Sequence, residues 1–260
     1  MGIAIITGAS SGLGREFAIQ LDRLPEKERP DEFVLIARRE EELEKTASML
    51  KTPARLLAWD LLDEENQRIF KNRLEEEKPE ISYLVNSAGF GKIGGVSDLS
   101  LEVQRNMLRL NCELPLTLSY LVSPYLIEGA KVFQIASVAA FLPQPYFTIY
   151  AASKAFVLSF SRALAVEWKE RGIQVIGLCP GPMETEFFQV AGSQEESSKI
   201  KNLGMEKVED VTRTAIRRAF RAKDISLHSP MAHALRFVSR ILPHPWILQI
   251  EAWLGIWAKN

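Results

Sequence analysis

The stretch of sequence that decides the fold reads Gly2-Ile-Ala-Ile-Ile-Thr-Gly-Ala-Ser-Ser-Gly-Leu-Gly14. Its first part, Gly2–Ile6, is a short continuous apolar run, which predicts a strand buried on both faces of a parallel sheet. A glycine turn follows, and a helical pattern runs from Arg15 to about Leu24. Glycine lets a backbone approach a pyrophosphate, and the N–H groups of a first helical turn point at such an anion. The stretch therefore predicts a phosphate site; the alternative is a tight turn that holds nothing.

The glycines of this turn, at positions 8, 12 and 14, have the spacing G-x-x-x-G-x-G and not the more common G-x-G-x-x-G. Three glycines directly after a first strand favour a dinucleotide pyrophosphate over an empty turn. The predicted cofactor contacts in this turn are Thr7, Gly8, Ser10, Ser11, Gly12, Leu13 and Gly14.

Strands and helices alternate along the chain to about residue 180. Further strands are predicted at residues 33–37, 55–59, 81–85, 131–136 and 174–178, and helices at about 40–50, 64–77, 97–128 and 150–171. Alternation with short connections means right-handed βαβ units. The predicted fold class is α/β: a Rossmann-like, doubly wound parallel sheet of about seven strands with helices on both faces. Residues 1–227 form a dinucleotide-binding domain, and residues 228–260 form a helical extension.

The end of the second strand bears on the choice of cofactor. An acid at this point binds the ribose 2′-hydroxyl of NAD, whereas an arginine accommodates the 2′-phosphate of NADP. Here Ala37 is neutral and is followed by Arg38 and Arg39. The planar guanidinium of Arg38 suits a phosphate, so NADP(H) is predicted over NAD, with Arg39 as a further contact. The alternative is an exposed basic residue without a ligand.

Other candidate contacts also follow predicted strands, and the ligand crevice of such a sheet lies at the carboxyl ends of its strands. Asp60 is placed to meet an adenine edge, and the small residues after the fourth strand let the chain pass close to a cofactor. The predicted contacts are Asp60, Leu61, Asn86, Ala88, Gly89, Pro180, Gly181, Met183 and Thr185.

A phenol and an ammonium stand four residues apart at Tyr150 and Lys154. On a helix this spacing puts them on one face, one turn apart. A phenol with its ordinary pKa is a poor acid at neutral pH, and the lysine is expected to lower that pKa. Ser137, after the fifth strand, is placed to hydrogen-bond a substrate oxygen. The alternative is a surface helix with an incidental Tyr and Lys.

Asn111 lies inside a predicted helix, where its propensity is poor. Outward exposure is one explanation, and a local break in the helix that exposes a backbone carbonyl is the other. Pro115, four residues later, is consistent with disturbed helical hydrogen bonding.

Several motifs resemble those of the short-chain dehydrogenase/reductase family, in order and spacing. They are Thr7–Gly14, Asp60, Asn86–Gly89, Asn111, Ser137, Tyr150, Lys154 and Pro180–Thr185. The resemblance implies that Asn111, Ser137, Tyr150 and Lys154 form a catalytic tetrad. It also implies that Tyr150 and Lys154 contact the nicotinamide half of the cofactor, that Asp60 contacts the adenosine half, and that Thr185 approaches the carboxamide. Ser87 departs from the usual Asn-Asn-Ala-Gly motif. The Asp-Gly-Gly ending of many bacterial members is missing after Leu227.

The reaction that this resemblance implies is reversible, NADP(H)-dependent reduction of a ketone or aldehyde to an alcohol. The apolar and aromatic segment Val138–Phe147 suggests a hydrophobic substrate such as a lipid, steroid or aromatic ketone. A non-catalytic dinucleotide sensor or scaffold on the same fold is the alternative. An epimerase or dehydratase ranks last, because those relatives need a larger C-terminal domain.

Composition excludes other classes of function. The formal net charge of −1 gives no electrostatic reason to expect nucleic acid. The two cysteines, Cys112 and Cys179, suggest neither a disulfide framework nor a metal cluster, so a reducing, cytoplasmic location and no bound metal are expected. No signal peptide is recognised, and no stretch is expected to be long and apolar enough to span a bilayer.

Two segments outside these motifs are also interpreted. Residues 183–205 are polar and predict a lid that closes over substrate. Apolar residues at helical spacing on either side of Pro243 predict two amphipathic helices in the extension. We expect these helices to pack on the parent domain or on a second subunit of a homo-oligomer, a dimer or tetramer. A peripheral membrane contact is the less favoured alternative.

Overall fold

The computed structural model describes residues 2–183, 185–192 and 205–253. Within these residues, seven parallel strands form one sheet in the order β3-β2-β1-β4-β5-β6-β7. Their bounds are β1 Ile3–Thr7, β2 Glu32–Ala37, β3 Ala54–Ala58, β4 Ile81–Asn86, β5 Leu126–Ile135, β6 Gln174–Leu178 and β7 Ile225–Ser226. The prediction of a doubly wound parallel sheet is confirmed.

Helices cover both faces of this sheet. Their bounds are α1 Gly12–Asp22, α2 Glu40–Ser48, α3 Glu64–Glu77, α4 Leu101–Leu108, α5 Leu114–Val122, α6 Thr148–Glu167, α7 Glu186–Ala191, α8 Val208–Ala219, α9 Pro230–Ile241 and α10 His244–Trp253. Helices α1, α2 and α8 pack in one apolar core, and α3, α5 and α6 pack in a second.

The central strand β1 shows why the sheet is buried on both sides. Ile6 contributes to the core under α1, and Ile5 contributes to the core under α5, because successive side chains of a strand point to opposite faces. Thr7 ends β1 in register with Ile36 of β2 and Asn86 of β4. The strand order reverses between β1 and β4, so a ligand crevice is expected at their carboxyl ends.

The sequence prediction was wrong at the end of the long helical region. It places helix as far as residue 128, but helical structure ends in a short 3-10 turn, Ser123–Tyr125, and β5 begins at Leu126. Pro124 explains the early end, since proline cannot donate the next helical hydrogen bond. Gly129 then adopts a positive φ of 83° within the strand, and the pairing of β4 with β5 shifts register near Ile81.

Helix α6 contradicts the expectation that no stretch is long and apolar enough to span a bilayer. By length and composition, Thr148–Glu167 is the one helix among the described residues that meets this description. It is also an element of the domain core: Val157, Ser161 and Leu164 are buried, and the helix packs on β5 and β6. A helix that lies along a buried parallel sheet needs such an apolar composition.

The predicted lid and C-terminal extension are described in part. Of the lid at 183–205, residue 184 and residues 193–204 lie outside the described residues, and α7 occupies Glu186–Ala191. Two helices, α9 and α10, occur where the sequence predicts them. Of their side chains, Ala232 and Ile247 are buried, whereas the large apolar residues Met231 and Trp253 are exposed.

Candidate active site

Tyr150 lies in the first turn of α6 and is buried beneath two phenyl rings. Its ring stacks on Phe147, with 4.3 Å between centroids, and meets Phe187 of α7 at 5.3 Å. Burial raises the pKa of Tyr150 to about 12, and a hydrogen bond with Ser137 opposes this rise. The expectation that Lys154 lowers the pKa of Tyr150 is therefore corrected, because desolvation of the phenolate outweighs the neighbouring groups.

Lys154 lies one helical turn further along and is also buried. Its ammonium donates a hydrogen bond of 2.8 Å to the Ile135 carbonyl at the end of β5, and it lies 5.6 Å from the centroid of the Tyr150 ring. Burial lowers the pKa of Lys154 to about 8. Desolvation thus brings the pKa of this ammonium close to neutral pH.

Ser137 follows β5 directly and shares the site with Tyr150. Its side chain accepts a hydrogen bond of 3.2 Å from the Ala139 N–H and so begins the short 3-10 helix Val138–Phe141. The structure brings Ser137, Tyr150 and Lys154 together at the carboxyl edge of the sheet.

Asn111 lies in a π-helical turn, Arg109–Glu113, between α4 and α5. The Leu114 N–H donates to the Arg109 carbonyl, five residues back, and Pro115 has no N–H to donate to the Asn111 carbonyl. The predicted break in the helix is present. The Asn111 amide donates to the Phe90 carbonyl at 2.9 Å and accepts from the Phe90 N–H at 3.1 Å.

Gly89 fits between Asn111 and Lys154. A Cβ at this position would lie 2.9 Å from Asn111 Oδ1 and 3.6 Å from Lys154 Nζ. A side chain here would therefore separate two of the predicted catalytic residues. Thr7 fixes the same loop, because its hydroxyl accepts hydrogen bonds from the Ser87 and Ala88 N–H groups, each 3.1 Å long.

The glycine turn is built to leave room for an anion. A Cβ on Gly14 would lie 2.3 Å from the Gly8 carbonyl oxygen, so α1 packs against the turn only with glycine there. Gly12 has a positive φ of 50°, and a Cβ at this position would lie 3.6 Å from the Thr185 side chain. The Ser11 side chain does not cap α1, and the first turn of α1 holds no acidic residue. The turn fits the pyrophosphate of a dinucleotide.

Arg15 supports this turn, although it belongs to none of the predicted contacts. Its guanidinium donates to the Ser10 carbonyl, to the Thr46 hydroxyl at 3.0 Å and to the Glu42 carboxylate at 2.7 Å. A cation in the first turn of a helix opposes the helix dipole. This unfavourable position in the helix is the sequence feature that could have indicated that Arg15 binds partners outside α1.

The two arginines after β2 differ in their partners. Arg38 has a side chain that is 78% exposed, and its guanidinium lies 4.0 Å from Asp60. Arg39 instead pairs with Glu186 of α7 at 2.7 Å and donates to the Ser10 hydroxyl at 3.3 Å. This pair links the end of β2 to α7. Arg38 is the more exposed of the two, since the Arg39 side chain is 49% exposed.

Two of the predicted cofactor contacts, Asn86 and Leu61, interact with other parts of the protein. The Asn86 side chain donates to Gln134 at 3.0 Å, inside a buried network between β4 and β5. Leu61, after β3, is buried in the core under α3. The Asn86 amide oxygen is buried and has no hydrogen-bond partner among the described residues.

Glu206 holds the loop after β6 in place, and no sequence motif marks this residue. Its buried carboxylate accepts hydrogen bonds from the Gly181 N–H at 2.9 Å and from the Ser229 N–H at 3.1 Å. Its own N–H donates to the Pro182 carbonyl at 2.8 Å. One carboxylate therefore holds the Pro180–Met183 segment and the start of α9 together.

Comparison with known proteins places this site in a family. A family model described as short chain dehydrogenase matches residues 2–196. The chain belongs to the short-chain dehydrogenase family. Sulfoacetaldehyde reductase 2 of Chromohalobacter salexigens is 32% identical over 206 residues, which cover 76% of this chain and 80% of that relative. Human dehydrogenase/reductase SDR family member 7 is 30% identical over 209 residues, covering 76% and 60%.

Solved structures of this family bind nicotinamide dinucleotides. A short-chain dehydrogenase from Sphingobium yanoikuyae in complex with NADPH has a TM-score of 0.78 and 25% identity, covering 100% of this chain and 98% of that one. The fold is shared with an NAD-bound short chain dehydrogenase from Mycobacterium paratuberculosis, at a TM-score of 0.72 and 19% identity over 89% and 97% of the chains. This chain is therefore an oxidoreductase of the short-chain dehydrogenase family.

Replacing Glu206 by Gln tests whether both oxygens of its carboxylate are needed as hydrogen-bond acceptors. In the variant, the Gln amide oxygen accepts from only one of the two N–H groups. The amide NH2 group is itself a donor, so the second N–H loses its acceptor. Hydrogen bonds to charged groups contribute about 1.5–3 kcal/mol each, and we expect a loss of that size in the free energy of unfolding. Urea unfolding measures it. Glu44→Gln, at an exposed position of α2, is the control; equal stability of the two variants would contradict the bridging role.

The lowered pKa of Lys154 predicts a dependence of stability on pH. Between about pH 8 and pH 10.5 the folded protein has released the proton of Lys154, whereas the unfolded chain retains it. The contribution of Lys154 to stability therefore rises with pH in this window, by up to about 1.4 kcal/mol per pH unit. Urea unfolding of the wild type and of Lys154→Met across this window should show a stability difference that changes in favour of the wild type as pH rises.

An exposed lysine supplies the control for this measurement. Lys71 on α3 has a side chain that is 55% exposed, and Lys71→Met should differ from the wild type by a constant amount over the same window. A Lys154→Met curve parallel to that of the wild type would show that the ammonium keeps an ordinary pKa.

Proposed function

We propose that this protein catalyses the reversible, NADP(H)-dependent reduction of a hydrophobic ketone or aldehyde to an alcohol. The observation that carries the proposal is the convergence of Ser137, Tyr150 and Lys154 in one buried site beside the glycine turn. Two hydroxyl groups and a buried amine at the carboxyl edge of a dinucleotide fold suit the polarisation and protonation of a carbonyl group.

Each residue has a distinct part in this proposal. A nicotinamide dinucleotide, when bound at the glycine turn, would supply the hydride that reduces the carbonyl carbon. The Tyr150 hydroxyl donates its proton to the carbonyl oxygen, and the Ser137 hydroxyl holds that oxygen in place. A raised pKa keeps Tyr150 protonated at neutral pH, as a general acid requires. Lys154 returns a proton towards Tyr150 because its own lowered pKa makes it a ready donor.

The preference for NADP(H) is supported by charge at the end of β2. Ala37 offers no carboxylate to a ribose hydroxyl, and Arg38 presents an exposed guanidinium beside Asp60. A guanidinium binds a phosphate through paired hydrogen bonds. The Sphingobium yanoikuyae structure, which holds NADPH, adds support for this assignment.

A hydrophobic substrate is supported by the surroundings of Tyr150. Buried Met107, Phe147 and Tyr150 form an apolar cluster, with Phe90 and Phe187 packed against it. Apolar and aromatic walls with few polar groups are typical of sites for apolar ligands. An alcohol dehydrogenase from Comamonas testosteroni described as specific for bulky-bulky ketones shares the fold, with a TM-score of 0.73.

Replacing Tyr150 by Phe tests the proton transfer. Positioned general acid catalysis contributes about 10²–10⁴-fold, so kcat should fall at least about a hundredfold. The affinity for NADPH should stay nearly unchanged, because the dinucleotide is held mainly elsewhere. Loss of NADPH absorbance with a panel of ketones and hydroxysteroids measures turnover, and Tyr120→Phe, at a position 76% exposed on α5, is the control.

Two outcomes of this experiment would contradict the proposal. Near-wild-type turnover by Tyr150→Phe would remove Tyr150 from the chemistry. A wild type that binds NADPH but turns over none of the panel would favour the sensor or scaffold alternative.

Replacing Arg38 by Asp tests the cofactor preference. Loss of a charged phosphate contact is worth about 1.5–3 kcal/mol, so the ratio of kcat/KM for NADPH to that for NADH should fall at least about tenfold. Lys27→Asp, an exposed change in the segment between α1 and β2, should leave this ratio unchanged. A wild type that prefers NADH would refute the assignment.

A further inference from the structure

Glu186, the first residue of α7, binds donors at the end of β2 and in the glycine turn. Its carboxylate pairs with Arg39, whose Nη2 lies 2.7 Å from Oε2 and whose Nη1 lies 3.3 Å from Oε1. Hydrogen bonds from Arg39 and then from Ser11 hold the pKa of this carboxyl below its ordinary value. Arg39 also donates to the Ser10 hydroxyl at 3.3 Å. One carboxylate is therefore bound both by the arginine after β2 and by a hydroxyl of the turn.

The backbone holds α7 at this place independently of the ion pair. Thr185 precedes α7, and its methyl carbon would lie 3.6 Å from a Cβ on Gly12 in the glycine turn. At the other end of the helix, the Ile93 N–H donates to the Ala191 carbonyl at 2.7 Å. Neither contact involves the Glu186 carboxylate. A change of that side chain is therefore expected to leave α7 folded and in position.

The ion pair changes the charge that the end of β2 offers to an anion. The side chain of Arg38 is 78% exposed and lies 4.0 Å from Asp60. The guanidinium of Arg39 is instead 2.7 Å from the Glu186 carboxylate. The hydrogen bond to Glu186, and the charge of Glu42 in addition, raise the pKa of Arg39. One of the two arginines after β2 is thus already neutralised by a carboxylate of the same chain.

This pair is of a kind that a stronger anion can displace. The side chains of Arg39 and Glu186 are 49% and 47% exposed, and exposed ion pairs contribute little to stability. An acid in the first turn of a helix suits the helix dipole, but the dipole does not explain why this acid binds donors of the glycine turn. A phosphate monoester carries a charge of about −1.5 to −2 at pH 7 and offers three acceptor oxygens. It is a stronger partner for a guanidinium than a carboxylate is.

We propose that Glu186 is a specificity-determining residue, which weakens the preference for NADP(H) by competing with the ribose 2′-phosphate for Arg39. A phosphate at the end of β2 meets a guanidinium that is already paired, and it also meets the negative charge of Glu186, which repels it. NADH has no 2′-phosphate and is not subject to this competition. The inference rests on the proposed function, because it takes a nicotinamide dinucleotide as the ligand of the glycine turn.

The position of Arg39 favours the 2′-phosphate over the pyrophosphate as the competing group. Arg39 follows β2, the strand whose end faces the adenosine ribose in a dinucleotide fold. The pyrophosphate of such a ligand lies at the N-terminus of the first helix, where Ser11 is located. Competition for Ser11 alone would therefore weaken the binding of NADPH and NADH equally. Comparing the two dinucleotides separates the two possibilities.

Replacing Glu186 by Gln tests the proposal in a binding measurement that needs no substrate. The fluorescence of the reduced nicotinamide gives Kd for NADPH and for NADH with the full chain. Kd for NADPH should fall at least about fivefold, because a like charge beside the phosphate is removed, whereas Kd for NADH should change less than about twofold. The gain for NADPH should shrink at about 1 M salt, where charges are screened beyond about 3 Å.

Glu77→Gln is the matched control. Glu77 pairs with Arg55 at 2.7 Å, and its side chain is 43% exposed, so the pair resembles that of Glu186. It joins the last residue of α3 to β3, at the edge of the sheet opposite the carboxyl ends of the strands. Neither Kd should change in this variant. Far-ultraviolet circular dichroism confirms that each variant is folded.

A second replacement tests whether Arg39 is the group for which the phosphate competes. In the Glu186→Gln background, Arg39→Gln should raise Kd for NADPH at least about fivefold, since a charge-assisted guanidinium–phosphate contact is lost. Kd for NADH should stay within about twofold, because no phosphate contact is lost there.

Three results would overturn the proposal. They are an unchanged Kd for NADPH in Glu186→Gln, an equal gain for NADPH and NADH, and an unchanged Kd for NADPH when Arg39 is also replaced. The equal gain would assign Glu186 to the pyrophosphate. Binding of dinucleotides without turnover of any ketone refutes only the proposed reaction. Normal turnover with an unchanged ratio of the two dissociation constants refutes only the role of Glu186.

Discussion

The hydrogen bond from the Lys154 ammonium to the Ile135 carbonyl joins the start of α6 to the end of β5, and the rest of the site depends on it. A buried ammonium needs a strong acceptor, because an unpaired charge in an apolar interior is very costly. This requirement fixes the rotation of α6 over the sheet. It therefore sets where Tyr150 faces Ser137. Glycine is needed at position 89 for a different reason, because a Cβ there would lie 2.9 Å from Asn111 Oδ1.

The same burial acts in opposite directions on the two titrating groups of the site. Removal of water disfavours the charged form of each group, so the pKa of Tyr150 rises and that of Lys154 falls. A phenol that keeps its proton and an amine that gives one up readily are suited to carbonyl reduction. Short sequence motifs identify the two side chains, but the direction of their pKa shifts depends on the packing of Phe147 and Phe187 around the Tyr150 ring.

Local sequence patterns predicted most of the fold, and contacts between distant residues account for what they missed. The predicted bounds of α3 and β6 match the structure because apolar periodicity and capping are local signals, such as the Asp63 side chain that accepts from the Glu65 N–H. The sequence predicts helix at residues 126–128, but these residues belong to β5. Pairing of β5 with β4 overrides their local propensity. Arg15, Glu186 and Glu206 act through partners that lie far away in the sequence, so no motif marks them.

Glu206 also has a thermodynamic consequence. Its carboxylate is shared by the N–H groups of Gly181 and Ser229, so the loop after β6 and the first turn of α9 have a common hydrogen-bond acceptor. A displacement of either segment therefore strains a hydrogen bond of the acid on which the other segment also depends. A change that weakens the hold of Glu206 on one segment is felt at the other, and the coupling free energy is the same in both directions.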